Sequence, residues 1–289
     1  MTVLAIDLGG TNMRAAPVGP AGEPRFGDQG SAPKSRDEFV SRLRMLIDRY
    51  EATRLGIGIP GLARGTVATW VPNLGYLDGL DLAEAFPGMS IALGNDAQFA
   101  LLAEASAGVA RGRRDALLLS IGTGIGSAVL AGGRIVRGSK GAACSFGWAC
   151  ADAGDPGDPR NGWLERHASG TALDSAAKAL GLSGGTALIT AVRGGSREAH
   201  DAIARAMSLL GTALSGAVGL LDPEVVVIAG GVAAEMDLLA PMIASALDRQ
   251  LPPHLRGIAI RAGEFGPRAG LMGAAIAGRQ GIDWGEIDG

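Results

Sequence analysis

Cysteine is scarce in this chain, with Cys144 and Cys150 the only two. Two thiols exclude a disulfide framework and a four-cysteine zinc site. Histidine is nearly as rare: His167, His200 and His254 stand far from any cysteine or histidine at metal-ligand spacing, so each reads as a surface or satisfied core residue. A basic excess is missing too. The formal net charge of −3 leaves no surplus of Lys and Arg to neutralise phosphates along DNA or anionic lipid headgroups. Neither nucleic acid nor a membrane is expected as a partner, and small molecules are. Residues 1–6 meet Asp7 too soon to form a signal h-region. Residues 203–221 are apolar but carry Arg205 and three glycines, which fits a core helix better than a membrane span. A cytoplasmic protein is expected.

Apolar residues (47%) and glycine (47 residues) are plentiful in the 289-residue chain, enough for a sizeable core joined by many tight turns. Two segments share a pattern of apolar strand, Gly/Thr turn and second strand: 3–16, "VLAIDLGGTNMRAA", and 116–130, "ALLLSIGTGIGSAVL". The chain therefore reads as internally duplicated. Between them, Phe39, Val40, Leu43, Leu46, Ile47 and Tyr50 make one apolar stripe at helical spacing. A strand follows at 55–59, and a helix over 96–108 would start at the capping pair Asn95-Asp96. Residues 172–221 read as helices broken at Gly184-Gly185 and Gly194-Gly195. They lead into the β-branched run 225–228, which ends in Gly230-Gly231. No low-complexity linker or charge block separates the halves. The expected division is 1–110 and 111–269, with a terminal helix at about 270–280 packing back on the first half.

The glycine turns carry the chemistry. At Gly9-Gly10-Thr11-Asn12, backbone N–H groups can converge with no Cβ in the way, as binding phosphate oxygens requires. Asp7 could hold a hydrated magnesium beside them. Any one such turn by itself reads more readily as a plain hairpin, but Gly122-Thr123-Gly124 and Gly230-Gly231 also follow buried apolar strands. Three together could enclose a nucleotide. The chain has neither a G-x-x-x-x-G-K-[ST] loop nor a G-x-G-x-x-G opening a helix with a downstream ribose carboxylate, so P-loop and Rossmann readings fail.

"AIDLGGTNMRAA" resembles the first phosphate motif of the sugar kinase, Hsp70 and actin superfamily, and more narrowly that of the ROK sugar kinases and repressors. "GIGIPG" (56–61), "PNL" (72–74), "LGNDAQFALLAE" (93–104), "LSIGTGIGSAVLAGGRIVRG" (119–138), "WLERHASGTAL" (163–173) and "PEVVVIAGGV" (223–232) resemble successive ROK segments in order. The resemblance implies an α/β, two-domain actin-like ATPase (ribonuclease H-like) fold with an interdomain cleft. It also implies ATP with Mg2+, a sugar as acceptor, and commonly a homodimer. Asp96 matches the catalytic base; a carboxylate in reach of the attacking hydroxyl can take its proton. A helix cap without catalysis is the alternative for Asp96. Gly61, Asn73, Asn95 and Glu165 match sugar-side positions.

The pattern breaks after the second hairpin. The family's segment there ends Gly-Glu-x-Gly-His, where this chain has Cys144-Ser145-Phe146-Gly147-Trp148, and residues 155–163 replace the family's cysteine-rich zinc segment. No zinc is expected. Ser145 offers one hydroxyl where a carboxylate would accept from two, and Trp148 offers a flat apolar face with a single N–H. A glucose-type acceptor would lose partners at about 1–3 kcal/mol for each buried hydroxyl. The expected acceptor is a sugar-like cyclitol, a C7 cyclitol of the valiolone type favoured, phosphorylated on an exocyclic primary hydroxyl. A hexose or amino sugar, a polyphosphate donor and a non-catalytic sugar-binding module or regulator are the alternatives. A regulator of this family would carry a helix-turn-helix ahead of the kinase-like body, whereas the first phosphate turn starts here within ten residues of Met1. Trp148 has a second reading as a core residue.

Overall fold

A computed structural model describes residues 2–25 and 27–287. In chain order the elements are β1 (Val3–Leu8), β2 (Asn12–Pro17), β3 (Asp28–Ser31), α1 (Arg36–Tyr50), β4 (Arg54–Ile59), β5 (Leu62–Arg64), β6 (Val67–Trp70) and α2 (Leu82–Ala85). Then come β7 (Ser90–Asn95), α3 (Asp96–Ala107), β8 (Ala116–Ile121), β9 (Ile125–Ala131), β10 (Arg134–Ile135), α4 (Trp163–Ala168) and α5 (Gly170–Ala179). The chain ends with α6 (Gly185–Arg193), α7 (Arg197–Leu221), β11 (Val225–Ala229), α8 (Met236–Gln250), β12 (Ala259–Ala262) and α9 (Ala269–Gln280). Two units follow from the packing: Met1–Gly112 with Ala128–Ala143 and Pro267–Gly289, and Arg113–Ser127 with Cys144–Gly266.

In the first unit a sheet runs β3-β2-β1-β4-β7, with β1/β2 and β2/β3 antiparallel and β1/β4 and β4/β7 parallel. Leu4, Ile6, Leu55, Ile57 and Leu93 fill its core together with Phe39 and Leu43 of α1. Ser35 caps α1 by accepting from the Glu38 N–H, and the helix stops where Glu51 turns left-handed at φ 50. The terminal helix α9 packs on β1, β4 and α3. That approach is backbone to backbone: a Cβ on Gly273 would lie 1.8 Å from the Phe99 carbonyl, and one on Gly56 equally close to that of Ala274. Beyond α9, the Trp284 indole donates to the Leu93 carbonyl at 3.1 Å and meets Phe99 edge-on at 4.7 Å.

In the second unit β8, β11 and β12 are parallel, with Val226 opposite Leu117 and Ile260. Gly230 follows β11 at φ 82, and a Cβ there would lie 2.4 Å from the Ile121 carbonyl. Only glycine fits. The long helix α7 is apolar enough to cross a bilayer by length and composition. Its face Ile203, Met207, Leu210, Leu214 and Val218 is buried, and it packs on α8 with Gly211 against Ile243. The burial supports the core-helix reading.

Candidate functional site

In the first unit the β1/β2 hairpin closes through the Gly9 N–H, which donates to the Asn12 carbonyl at 2.8 Å. Its turn walls a concave pocket of about 250 Å³ lined by Asp7, Gly9, Gly10, Thr11, Asn12 and Arg14. Hairpin register sets Asp7 opposite Arg14. The Arg14 Nη1 lies 3.5 Å from Asp7 Oδ2 and donates to the Pro267 carbonyl at 2.7 Å. Burial pushes the Asp7 carboxyl above its usual range, and the Arg14 charge works against that rise. The start of α9 also comes close, since a Cβ on Gly270 would lie 2.7 Å from Asp7 Oδ1. A carboxylate at a helix N-terminus is favourably placed. Sequence reading passed over Arg14 and Gly270. The hairpin register alone could have pointed to Arg14, whereas nothing local marks Gly270.

Of the acceptor-side candidates in this unit, Asn73 reaches the same hairpin. Gly10 lies against Asn73, with only 3.3 Å between a built Cβ and the Asn73 Cβ. Asn95 donates through Nδ2 to the Gly61 carbonyl at 3.1 Å, while its Oδ1 caps α3 by accepting from Ala97. Gln98 completes the cap by accepting from the Asn95 N–H. Asp96, the first residue of α3, also accepts from Ala97, at 2.8 Å. Burial first, and then the charge of Asp7, raise the Asp96 carboxyl from 3.8 to about 6. A base poised near neutral pH suits proton transfer.

In the second unit the glycine turn between β8 and β9 is braced from α4 and α5. Gly170 donates to the Gly122 carbonyl at 2.7 Å and the Thr171 hydroxyl to that of Thr123 at 2.8 Å. Glu165 Oε2 accepts from the Ile125 N–H at 2.8 Å, and a Cβ on Gly124 would lie 2.3 Å from it. The fold thus occupies one oxygen of Glu165 in holding the turn. Gly122 and Gly231 have open space where a Cβ would stand, a cradle that phosphate oxygens could enter.

Ser145 and Trp148 flank Gly147, which packs under the Ile125 carbonyl and beside Glu165. Both side chains are exposed, Trp148 at 45%, so the core reading of that tryptophan is wrong. Gly162 lies close against the Gly147 backbone on the buried side of the turn. The loop after it is tied by Arg166 to Asp155 at 2.7 Å, and Asp152, Asp155 and Asp158 each accept from the N–H two residues on. His167 bonds the Trp163 carbonyl and stacks on that indole. Among the described residues, no group of three or more His, Cys, Asp or Glu is gathered as a metal site would need.

The sequence model of the ROK family matches residues 3–280. The chain is 27% identical to a glucokinase of Streptomyces coelicolor and 30% identical to an N-acetylmannosamine kinase of Salmonella typhimurium. The alignments span 96% of this chain in both cases, and 97% and 98% of the relatives. The crystal structure of a ROK hexokinase from Thermus thermophilus superposes with a TM-score of 0.83 at 28% identity, over 97% of this chain and 99% of that one. These relatives are sugar kinases of full-length correspondence, and with them comes the two-domain actin-like ATPase fold.

Proposed function

Since the chain belongs to the ROK family, we propose that it is an ATP-dependent kinase acting on a hydroxyl of a sugar or sugar-like polyol, with Asp96 as general base. The observation that carries this reading is the place of Asp96 at the head of α3, its carboxyl raised by burial and by the charge of Asp7, in a chain whose full-length relatives are sugar kinases. Each unit carries its own candidate phosphate cradle: the turn at Gly9, Gly10, Thr11 and Asn12 in the first, and that at Gly122, Thr123 and Gly124 in the second, where Gly230 and Gly231 are the candidates for the nucleoside. Magnesium arriving with the nucleotide would screen its phosphate charge, and Asp7 would hold it through water. Asp96 takes the acceptor hydroxyl proton as the acceptor oxygen forms its bond to the γ-phosphorus and the bond to ADP breaks. Each unit also brings its own candidates for orienting the acceptor: Gly61, Asn73 and Asn95 in the first, and Glu165 in the second.

Ser145 and Trp148 support a cyclitol acceptor, a C7 cyclitol of the valiolone type phosphorylated on its exocyclic hydroxyl. An exposed indole offers an apolar ring face, and a single hydroxyl serves fewer acceptor hydroxyls than a carboxylate does. The second reading is a hexose or amino-sugar kinase, favoured by the names of the two relatives. The protein is read as a cytoplasmic homodimer without zinc, and a solution mass equal to the 29.1 kDa chain would remove the dimer.

ADP release with Mg-ATP, measured across hexoses, amino sugars and cyclitols beside an Asp96→Asn control, tests the reading. Turnover of a cyclitol that falls about 10²- to 10⁴-fold in the control is the expected result. Preference for glucose over every cyclitol leaves only the hexose kinase. Silence on all acceptors, with ATP still bound, points to a non-catalytic sugar-binding module.

A further inference from the structure

Ser127 is a buried hydroxyl on β9, 5% exposed, with no part in the chemistry assigned so far. Its Oγ donates to the carbonyl of Cys144 and accepts from the Phe146 N–H at 3.0 Å. The same Phe146 N–H reaches the Cys144 carbonyl at 2.7 Å, and Ser145 between them has φ −71 and ψ 54. That is an inverse γ-turn centred on Ser145. One hydroxyl therefore holds both ends of the three-residue turn. We propose that Ser127 is a positioning residue for acceptor recognition, fixing the backbone that presents Ser145 and Trp148. The proposal rests on the reading of those two side chains as acceptor contacts.

Two further features make the turn dependent on this clamp. Cys144 sits at φ 68, a left-handed conformation that a residue with a side chain seldom adopts unless its surroundings impose it. Without the hydroxyl, rotation of Cys144 toward negative φ would carry Ser145 with it. The turn also has no room to settle inward: a Cβ on Gly147 would lie 2.8 Å from the Ile125 carbonyl, and one on Gly162 would lie 2.1 Å from the Gly147 carbonyl. Movement would be outward, on the side where Ser145 and Trp148 are exposed. Groups that read hydroxyl positions must be held to about 0.5 Å, so a loosened turn loses selectivity before it loses chemistry.

The test compares the wild type, Ser127→Ala, Ser127→Thr and Ser127→Ala combined with Cys144→Gly. Amide exchange over residues 144–148 reports the clamp without any substrate. In Ser127→Ala we expect exchange at Phe146 to quicken and acceptor KM to rise about tenfold, the size of one lost hydrogen bond. The KM for ATP should stay within about twofold and the preference among acceptors should flatten. Ser127→Thr keeps the hydroxyl and should keep slow exchange. Cys144→Gly, at ease at positive φ, should restore part of the lost acceptor affinity. Unchanged exchange in Ser127→Ala overturns the clamp. Faster exchange with unchanged acceptor KM and selectivity overturns the positioning role while the kinase reading stands. An equal rise in the KM of ATP and acceptor marks a merely structural residue and also overturns it. A wild type that turns over no acceptor removes the kinase reading and this role together, and exchange then still reports the clamp by itself.

Discussion

Asp96→Asn should make the protein more stable and nearly inactive. Folding raises the Asp96 carboxyl from 3.8 to about 6, with burial the larger cause and Asp7 the second. About two pH units at ~1.4 kcal/mol each give roughly 3 kcal/mol of strain on the ionised form. The sign follows from the direction of the shift. A folded pKa above the unfolded one means that the native state binds the extra proton, so this contribution is fully present below about pH 4 and is lost as pH rises through about 6. Asparagine keeps an oxygen for the Ala97 N–H and carries no charge. Its advantage over aspartate should be near zero at pH 4, about half developed at pH 5 and level above pH 7, where the melting temperature should be higher by ~5 °C. Scanning calorimetry of both proteins from pH 4 to 8 measures it. The companion readout is kcat/KM of the wild type, which should rise about tenfold per pH unit on the acid side and level off near pH 6. A melting difference of the same size at pH 4 and pH 8, or a less stable Asp96→Asn at pH 8, refutes the reasoning.

Two other outcomes follow from the packing. Gly230→Ala places a Cβ 2.4 Å from the Ile121 carbonyl at φ 82, so it should cost roughly 2 kcal/mol or more and weaken ATP binding, read by denaturant unfolding and by calorimetric titration. The loop 150–162 is anchored by Arg166 and Asp155, whose hydrogen bond holds the Asp155 carboxyl below its usual range. Exhaustive chelation followed by return of magnesium alone should therefore leave turnover and melting temperature unchanged, whereas Asp155→Asn should quicken proteolysis of the loop; a chelator-sensitive melting temperature would mean that a structural metal is present.

Much of the scaffold was legible because its causes are local. The two strand-turn-strand segments, the helix beginning at Asn95-Asp96 and the helix breaks at Gly184-Gly185 and Gly194-Gly195 all stand where apolar periodicity and turn chemistry set them. The place of Asp96 at the head of α3 was legible for the same reason, since the capping residue Asn95 stands next to it. Periodicity and capping act over a turn or two of chain, and they carry no information about what a distant segment brings. The raised carboxyl of Asp96 depends on burial first and on Asp7 second, and Asp7 in turn meets Arg14 across the hairpin and Gly270 at the far end of the chain. The turn before Trp148 is packed against Gly162 and held by a hydroxyl seventeen residues away at Ser127. Residue types and their order thus settle the strands, helices, glycine turns and family. Which of those groups is desolvated, clamped or left facing solvent is decided by contacts that exist only once the chain has folded.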